Sequence, residues 1–232
     1  MTVLEAAGNA IGGAPSAGDT SAPAAACESL KSLCETIRAC RYCRDATPNA
    51  KLPHEPRPIF QLSATARLFV CSQAPGIRAH NSGTPFMDPS GVRLRAWMGV
   101  SEEEFYDAAK VAIVPMGFCF PGYDANGGDL PPRPECERLW RRRVFEALPQ
   151  TPSLILLVGG YSQRWHLGEA AKGTLTDTLK QWRSILDAPL GTTALLPLPH
   201  PSWRNNGWLK RNPWFEADVL PVLRARVRET LS

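Results

Sequence analysis

No stretch of this 232-residue chain comes near the ~20 consecutive apolar residues of a membrane-spanning helix, so no such span is expected. Residues 1–26 also lack the basic start and apolar core of an export signal. They are rich in Ala, Gly, Ser and Pro, which reads as a flexible tail, and a cytoplasmic location is expected. A disulfide framework is poorly supported, because seven cysteines is an odd count in a chain without an export pattern. Metal ligation, reactive thiols or buried apolar thiols remain. Charge of neither sign dominates: the net +4 is compatible with a polyanionic partner without requiring one. No internal repeat is visible. What is present, 44% hydrophobic and 21% charged residues, is the composition of a globular domain, placed here at residues 27–232 and expected to be a monomer.

Within that domain apolar strands alternate with helical patterns. Arg67–Cys71, Val111–Val114, Leu154–Val158 and Thr193–Leu196 read as buried strands. Leu30, Leu33, Cys34 and Ile37 form the stripe of an amphipathic helix, which makes Cys34, and Cys27 upstream of it, structural. Further helical patterns cover Gly91–Met98, a capping box at Ser101 and Glu104 leading to Ala109, then Glu135–Leu148, Ser162–Leu167, Leu175–Leu186 and Trp214–Leu231. Right-handed crossovers between parallel strands put helices on both faces of a sheet. The expectation is a three-layer α/β/α sandwich around a short central parallel sheet of four strands. Arg141, Arg142 and Arg143 read as a solvated helix face.

Parallel sheets carry their binding loops at the carboxyl ends of the strands. The first strand runs into Ser72-Gln73-Ala74-Pro75-Gly76, where Pro75 stiffens the turn and Gly76 permits close approach, followed by Gly83-Thr84-Pro85-Phe86. The second ends at Pro115 ahead of Cys119, and the fourth delivers His200-Pro201-Ser202-Trp203. His200 sits where an imidazole can donate to a ligand, whereas His166 lies in a helix and His54 and His80 lie in loops without an identified partner, and all three read as structural or surface histidines. After it, Trp203, Arg204, Trp208, Lys210, Arg211 and Trp214 interleave cations for phosphates with rings for stacking, Trp214 reading rather as core. Cys40 and Cys43 form a C-x-x-C, and with Cys119 and Cys136 they make two separated pairs that suit zinc or an iron–sulfur cluster. Spacing alone favours zinc, with simple burial of Cys119 and Cys136 as the alternative.

In this order the motifs resemble those of the uracil-DNA glycosylase superfamily, most closely its iron–sulfur branch, often called family four. Ser72 to Gly76 stands against that family's G-E-A-P-G, Gly83 to Phe86 against its G-x-P-F, and His200-Pro201-Ser202 against its H-P-S. The four cysteines correspond as well, and the likeness spans residues 28–230. It implies excision of uracil or a related damaged pyrimidine from DNA by hydrolysis of the N-glycosidic bond. His200 and Gln73 would be catalytic. Ala74, Pro75, Gly76, Phe86, Pro115 and Ser202 would bind a flipped base, with Phe86 stacking on it and His200 donating to the pyrimidine O2. Trp203, Arg204, Lys210 and Arg211 would grip the DNA. Cys40, Cys43, Cys119 and Cys136 would hold a structural [4Fe–4S] cluster, zinc being the alternative. Two positions depart from the family: Gln73 replaces its Glu, and Pro115 falls where it has a uracil-reading Asn. Both leave the excised base open, and a catalytically silent DNA-binding protein is the alternative function.

Overall fold

The computed structural model describes residues 29–171 and 173–232; the expected tail at 1–26 and Cys27 lie outside them. Four strands, β1 (Leu68–Cys71), β2 (Val111–Ile113), β3 (Leu154–Val158) and β4 (Ala194–Leu198), form one parallel sheet in the order β2-β1-β3-β4. Because both faces are covered, the strands are continuous apolar runs and successive side chains enter opposite cores. Leu68, Val70, Leu154, Leu156 and Leu196 point to one face, where they meet Leu94, Trp97, Leu223 and Val227. Phe69, Cys71, Ile155, Leu157 and Leu195 point to the other, against Leu33, Ile37, Trp140 and Val144. The expected α/β/α sandwich is the observed one.

The helices, in chain order, are α1 (Leu30–Arg38), α2 (Tyr42–Asp45), α3 (Ile77–Ser82), α4 (Pro89–Met98) and α5 (Glu102–Tyr106), followed by the composite α6. That helix joins Pro134–Cys136, a π turn at Glu137–Arg141, and Arg142–Glu146. Then come α7 (Gly160–Leu167), α8 (Leu175–Lys180), α9 (Trp182–Leu186), α10 (Asn206–Arg211) and α11 (Leu220–Leu231), the last preceded by a π turn at Phe215–Val219. None of the described helices is long and apolar enough to cross a membrane. Cys34 is buried in the core, as its stripe predicts.

Several boundaries differ from the pattern. The capping box at Ser101 and Glu104 forms, but α5 stops at Tyr106 because Asp107 turns extended. The stretch Leu175–Leu186 breaks at Gln181 into α8 and α9. α7 begins at Gly160, two residues ahead of the expected Ser162, and α3 follows directly on Gly76, where no helix is evident in the sequence.

The larger correction concerns Arg141, which is fully buried while Arg142 and Arg143 are exposed. A π turn adds one residue to the helical repeat and so changes which positions face inward. The Arg141 guanidinium donates to the carbonyl oxygens of Val114 (2.8 Å) and Pro115 (3.4 Å), lies 3.6 Å from the Cys71 sulfur, and meets His166 Nε2 at 2.7 Å. Its plane rests on the rings of Trp165 and Phe145, 4.7 and 5.1 Å away. His166 is therefore the acceptor of a buried charge, and burial together with that charge holds its pKa well below the usual value.

Candidate active site

From β1 the chain crosses to β2 on one side, and from β3 to β4 on the other, so the loops leaving β1 and β3 part and open a crevice at their carboxyl ends. A cleft of about 660 Å³ occupies it, lined among others by Gln73, Phe86, Pro115, His200, Ser202 and Arg204. The floor is stiff. The Met116 and Gly117 amides donate to the carbonyl oxygens of Ser72 and Gln73, both at 2.9 Å, and so carry the β1–β2 pairing beyond the strands. Gln73 lies against Gly159, whose φ is +86°; a Cβ there would sit 2.5 Å from Gln73 Nε2. The glycine serves both the backbone angle and the close approach.

Phe86 has φ 57°, the sole positive value at a non-glycine residue among those described. For a bulky side chain this conformation costs on the order of 1–3 kcal/mol and persists only where the surroundings impose it. The surroundings here are identifiable. Gly91, in the first turn of α4, packs so tightly on Phe86 that a Cβ would lie 1.8 Å from the Phe86 carbonyl oxygen. The Phe86 ring meets Phe105 edge-on at 6.0 Å, and Tyr106 donates to the Pro85 carbonyl at 3.0 Å. A strained aromatic is thus held on the wall of the cleft.

His200 is fixed from three directions. The Ser202 amide donates to its Nδ1 at 3.3 Å, Asn205 Nδ2 donates to its carbonyl at 2.7 Å, and Arg93 donates to the Ser202 carbonyl at 3.1 Å. With Nδ1 accepting, the neutral ring carries its proton on Nε2. Burial lowers the His200 pKa, with Asp88 opposing, which keeps the ring neutral near pH 7.

The rim is apolar and cationic. Tyr123, Leu130, Tyr161 and Trp203 are exposed and all line the cleft. Trp203 stands 72% exposed with the Arg204 guanidinium 5.5 Å from its ring centroid. Lys210 and Arg211 lie on α10, outside the cleft. Trp208 is not a free stacking platform: its indole donates to Thr176 Oγ1 at 2.8 Å and its ring packs on Trp214 and Phe215. Trp214 joins the core as expected.

Cys40, Cys43, Cys119 and Cys136 come together around a second, small apolar cavity, and none is in a disulfide. Glu135 is the clasp. It accepts from Thr47 Oγ1 (2.6 Å) and Asn49 Nδ2 (2.7 Å), which ties the segment after α2 to the start of α6. Burial alone would raise its carboxyl, but these donors outweigh burial and hold it at about 2. The Phe118 amide donates to Cys136 Sγ at 3.2 Å. Burial pushes the Cys119 thiol up to about 12, with Cys40 and Cys43 nearby adding to it. Among the described residues no group of three or more His, Cys, Asp or Glu is arranged to hold a metal ion.

The family model described as the Uracil DNA glycosylase superfamily matches residues 59–224. The chain belongs to that superfamily. Uracil-DNA glycosylase folds imply DNA as partner and glycosylase-type hydrolysis as the general chemistry, and here the matched span contains every loop that lines the cleft. It also takes in Cys119 and Cys136 but begins after Cys40 and Cys43. Among the cleft residues that sequence reasoning missed in this glycosylase fold are Asp88, Arg93 and Asp129. Asp88 was open to recognition as the N-cap of α4 ahead of Pro89, whereas Asp129 sits in a Gly/Pro-rich connection without periodicity.

Proposed function

We propose that this protein excises uracil or a related damaged pyrimidine from DNA, with His200 stabilising the departing base. The observation that carries the reading is the Ser202 amide donating to His200 Nδ1, because it presets the tautomer with hydrogen on Nε2. A preorganised neutral donor aimed at the oxygen where charge develops lowers the barrier without reorganising. The base would be flipped from the stack into the cleft, lie on Phe86, and leave as an anion hydrogen-bonded through its O2 to His200. Trp203 would fill the vacated stack while Arg204 meets phosphate, with Lys210 and Arg211 adding contacts beyond the cleft. Pro115 brings no side-chain amide to the base edge, so discrimination for uracil is expected to be weak.

Cys40, Cys43, Cys119 and Cys136 are free thiols that line one apolar cavity, and a backbone amide donates to one sulfur, which supports reading them as the ligands of a [4Fe–4S] cluster. A single tetrahedral zinc, ~2.3 Å from each sulfur, is the alternative occupant of the same four thiols. When bound, the cluster would pin α2 to α6 and take no part in the hydrolysis.

The test is single-turnover excision on a panel of modified bases in single- and double-stranded DNA. His200→Ala should lose ~10²–10³ in rate. A parent protein that binds DNA and releases no base from any substrate would establish the silent binder instead.

A further inference from the structure

We propose that Asp129 takes the proton of the attacking water, a task that the amide of Gln73 cannot perform. The proposal rests on the glycosylase reading and deepens it. A side-chain amide orients water but has no basic site for its proton, so a base must come from elsewhere in the cleft. Two carboxylates line it, Asp88 and Asp129. Asp88 is committed, since its Oδ1 accepts from the Gly91 amide at 3.0 Å as the cap of α4.

Asp129 is delivered by a small hairpin. Asp124 Oδ1 accepts from the amides of Asn126 and Gly128, both at 2.8 Å, Tyr123 pairs antiparallel with Asp129, and the Leu130 amide donates to the Gly122 carbonyl at 2.9 Å. This folds the chain back so that Asp129 Oδ2 lies 3.3 Å from where a Gly76 Cβ would be. The carboxylate therefore rests on the turn that begins at Gln73, and it accepts no hydrogen bond from any described side chain. Gly76 has a reason of its own to be glycine: it leaves room for this contact. Asp129 is exposed at the cleft rim; its partial desolvation raises the carboxyl above its ordinary value, Arg204 opposes that, and Asp88 and Asp124 add to it. Such a shift moves a carboxylate toward the strength of a working base. Arg78 and Arg93 are the other cations lining the cleft.

In the step, the C1′–N bond breaks and its electron pair leaves with the base, whose O2 receives the hydrogen bond from His200 Nε2. The water oxygen forms the new bond to C1′, its proton passes to an Asp129 oxygen, and that proton is then lost to solvent while the base anion takes one up.

The experiment compares the parent with Asp129→Asn and Gln73→Ala in single-turnover excision, on whichever panel substrate the parent processes best, across acid to neutral pH, with DNA affinity measured alongside. Asp129→Asn should keep the parent's affinity and lose ~10²–10⁴ in rate, with Gln73→Ala losing less. Parent activity requires Asp129 ionised and His200 neutral, so its acid limb should approach a slope of about two in log rate against pH, falling to about one in Asp129→Asn. A structural role would not change that slope. Asp129→Asn within about threefold of an active parent, with the slope unchanged, overturns the assignment alone. A parent that releases no base overturns the glycosylase reading and this assignment together.

Discussion

Replacing Gly91 with alanine tests whether Phe86 is held in its strained conformation by the packing described. In an unobstructed helix the change stabilises by up to ~1 kcal/mol, because glycine loses the most backbone freedom on folding. Here the new Cβ would lie 1.8 Å from a backbone oxygen, and real Cβ atoms essentially never approach within 3.0 Å, so α4 and the Phe86 segment must part by more than ~1 Å. No side-chain rotation relieves a clash with backbone. Overpacking of this kind typically costs ~1–3 kcal/mol, which exceeds the gain in helix propensity, and the net sign reverses. Gly207→Ala in α10 is the control, since its Cβ would meet nothing nearer than Arg211 Nη1 at 3.4 Å. Urea unfolding should show Gly91→Ala destabilised and Gly207→Ala neutral or slightly stabilised; for a domain of this size each kcal/mol moves Tm by roughly 2–4 °C. Excision should fall in Gly91→Ala beyond what its unfolded fraction explains, because the Phe86 ring leaves its place on the cleft wall. A Gly91→Ala protein as stable as the parent would refute the packing argument.

DNA binding should depend on salt, and Arg204→Ala with Lys210→Ala should weaken it and flatten the slope of log affinity against log salt; an unchanged slope excludes the Trp203–Arg211 segment as the phosphate contact. Protein purified anaerobically should be brown with about four irons per chain, and Cys136→Ala should be colourless, whereas one stoichiometric zinc by elemental analysis would replace the cluster and keep the four-cysteine site. Stability should be independent of the histidines above pH ~6.5 and decline below it. His166 and His200 have lowered folded pKa values, so the unfolded chain takes up their protons first, at up to ~1.4 kcal/mol per pH unit for each. Glu135 adds a second loss at lower pH, its contribution being complete above about 4.5 and disappearing as pH falls toward about 2. Denaturant midpoints from pH 8 to 3 check both, and a flat profile from pH 6.5 to 5 contradicts the histidine assignment.

The strands were legible because a doubly covered sheet demands unbroken apolar runs, and β3 begins and ends where its run does. The loops after β1, β2 and β4 were legible for a related reason, since strand ends are where small residues, prolines and a lone histidine cluster. Arg141 was not legible. Three consecutive arginines share one composition, and only the π turn, a tertiary adjustment without local signature, decides which of them turns inward. Asp129 escaped because its position depends on a hairpin closed by Asp124 and the Tyr123–Asp129 pairing, so its distance to Gly76 has no counterpart in sequence spacing. The rings of Trp203 and Trp208 look equivalent in sequence. The Thr176 hydroxyl, 32 positions away from Trp208, separates the exposed one from the structural one.

The buried guanidinium of Arg141 bears on how the domain assembles. Its partners come from beyond β2, from β1 and from α7, while the residue itself rides on α6, and among the described residues no carboxylate pairs with it. A charge removed from water without its full set of acceptors costs several kcal/mol. Docking α6 on the sheet before α7 has delivered His166, or one helical position out of register, strands that charge in an apolar layer. Incomplete and misaligned arrangements are thereby penalised more heavily than hydrophobic packing alone would penalise them. The residue acts as a proofreader of the back layer, so that the layer should close in one cooperative transition or remain open.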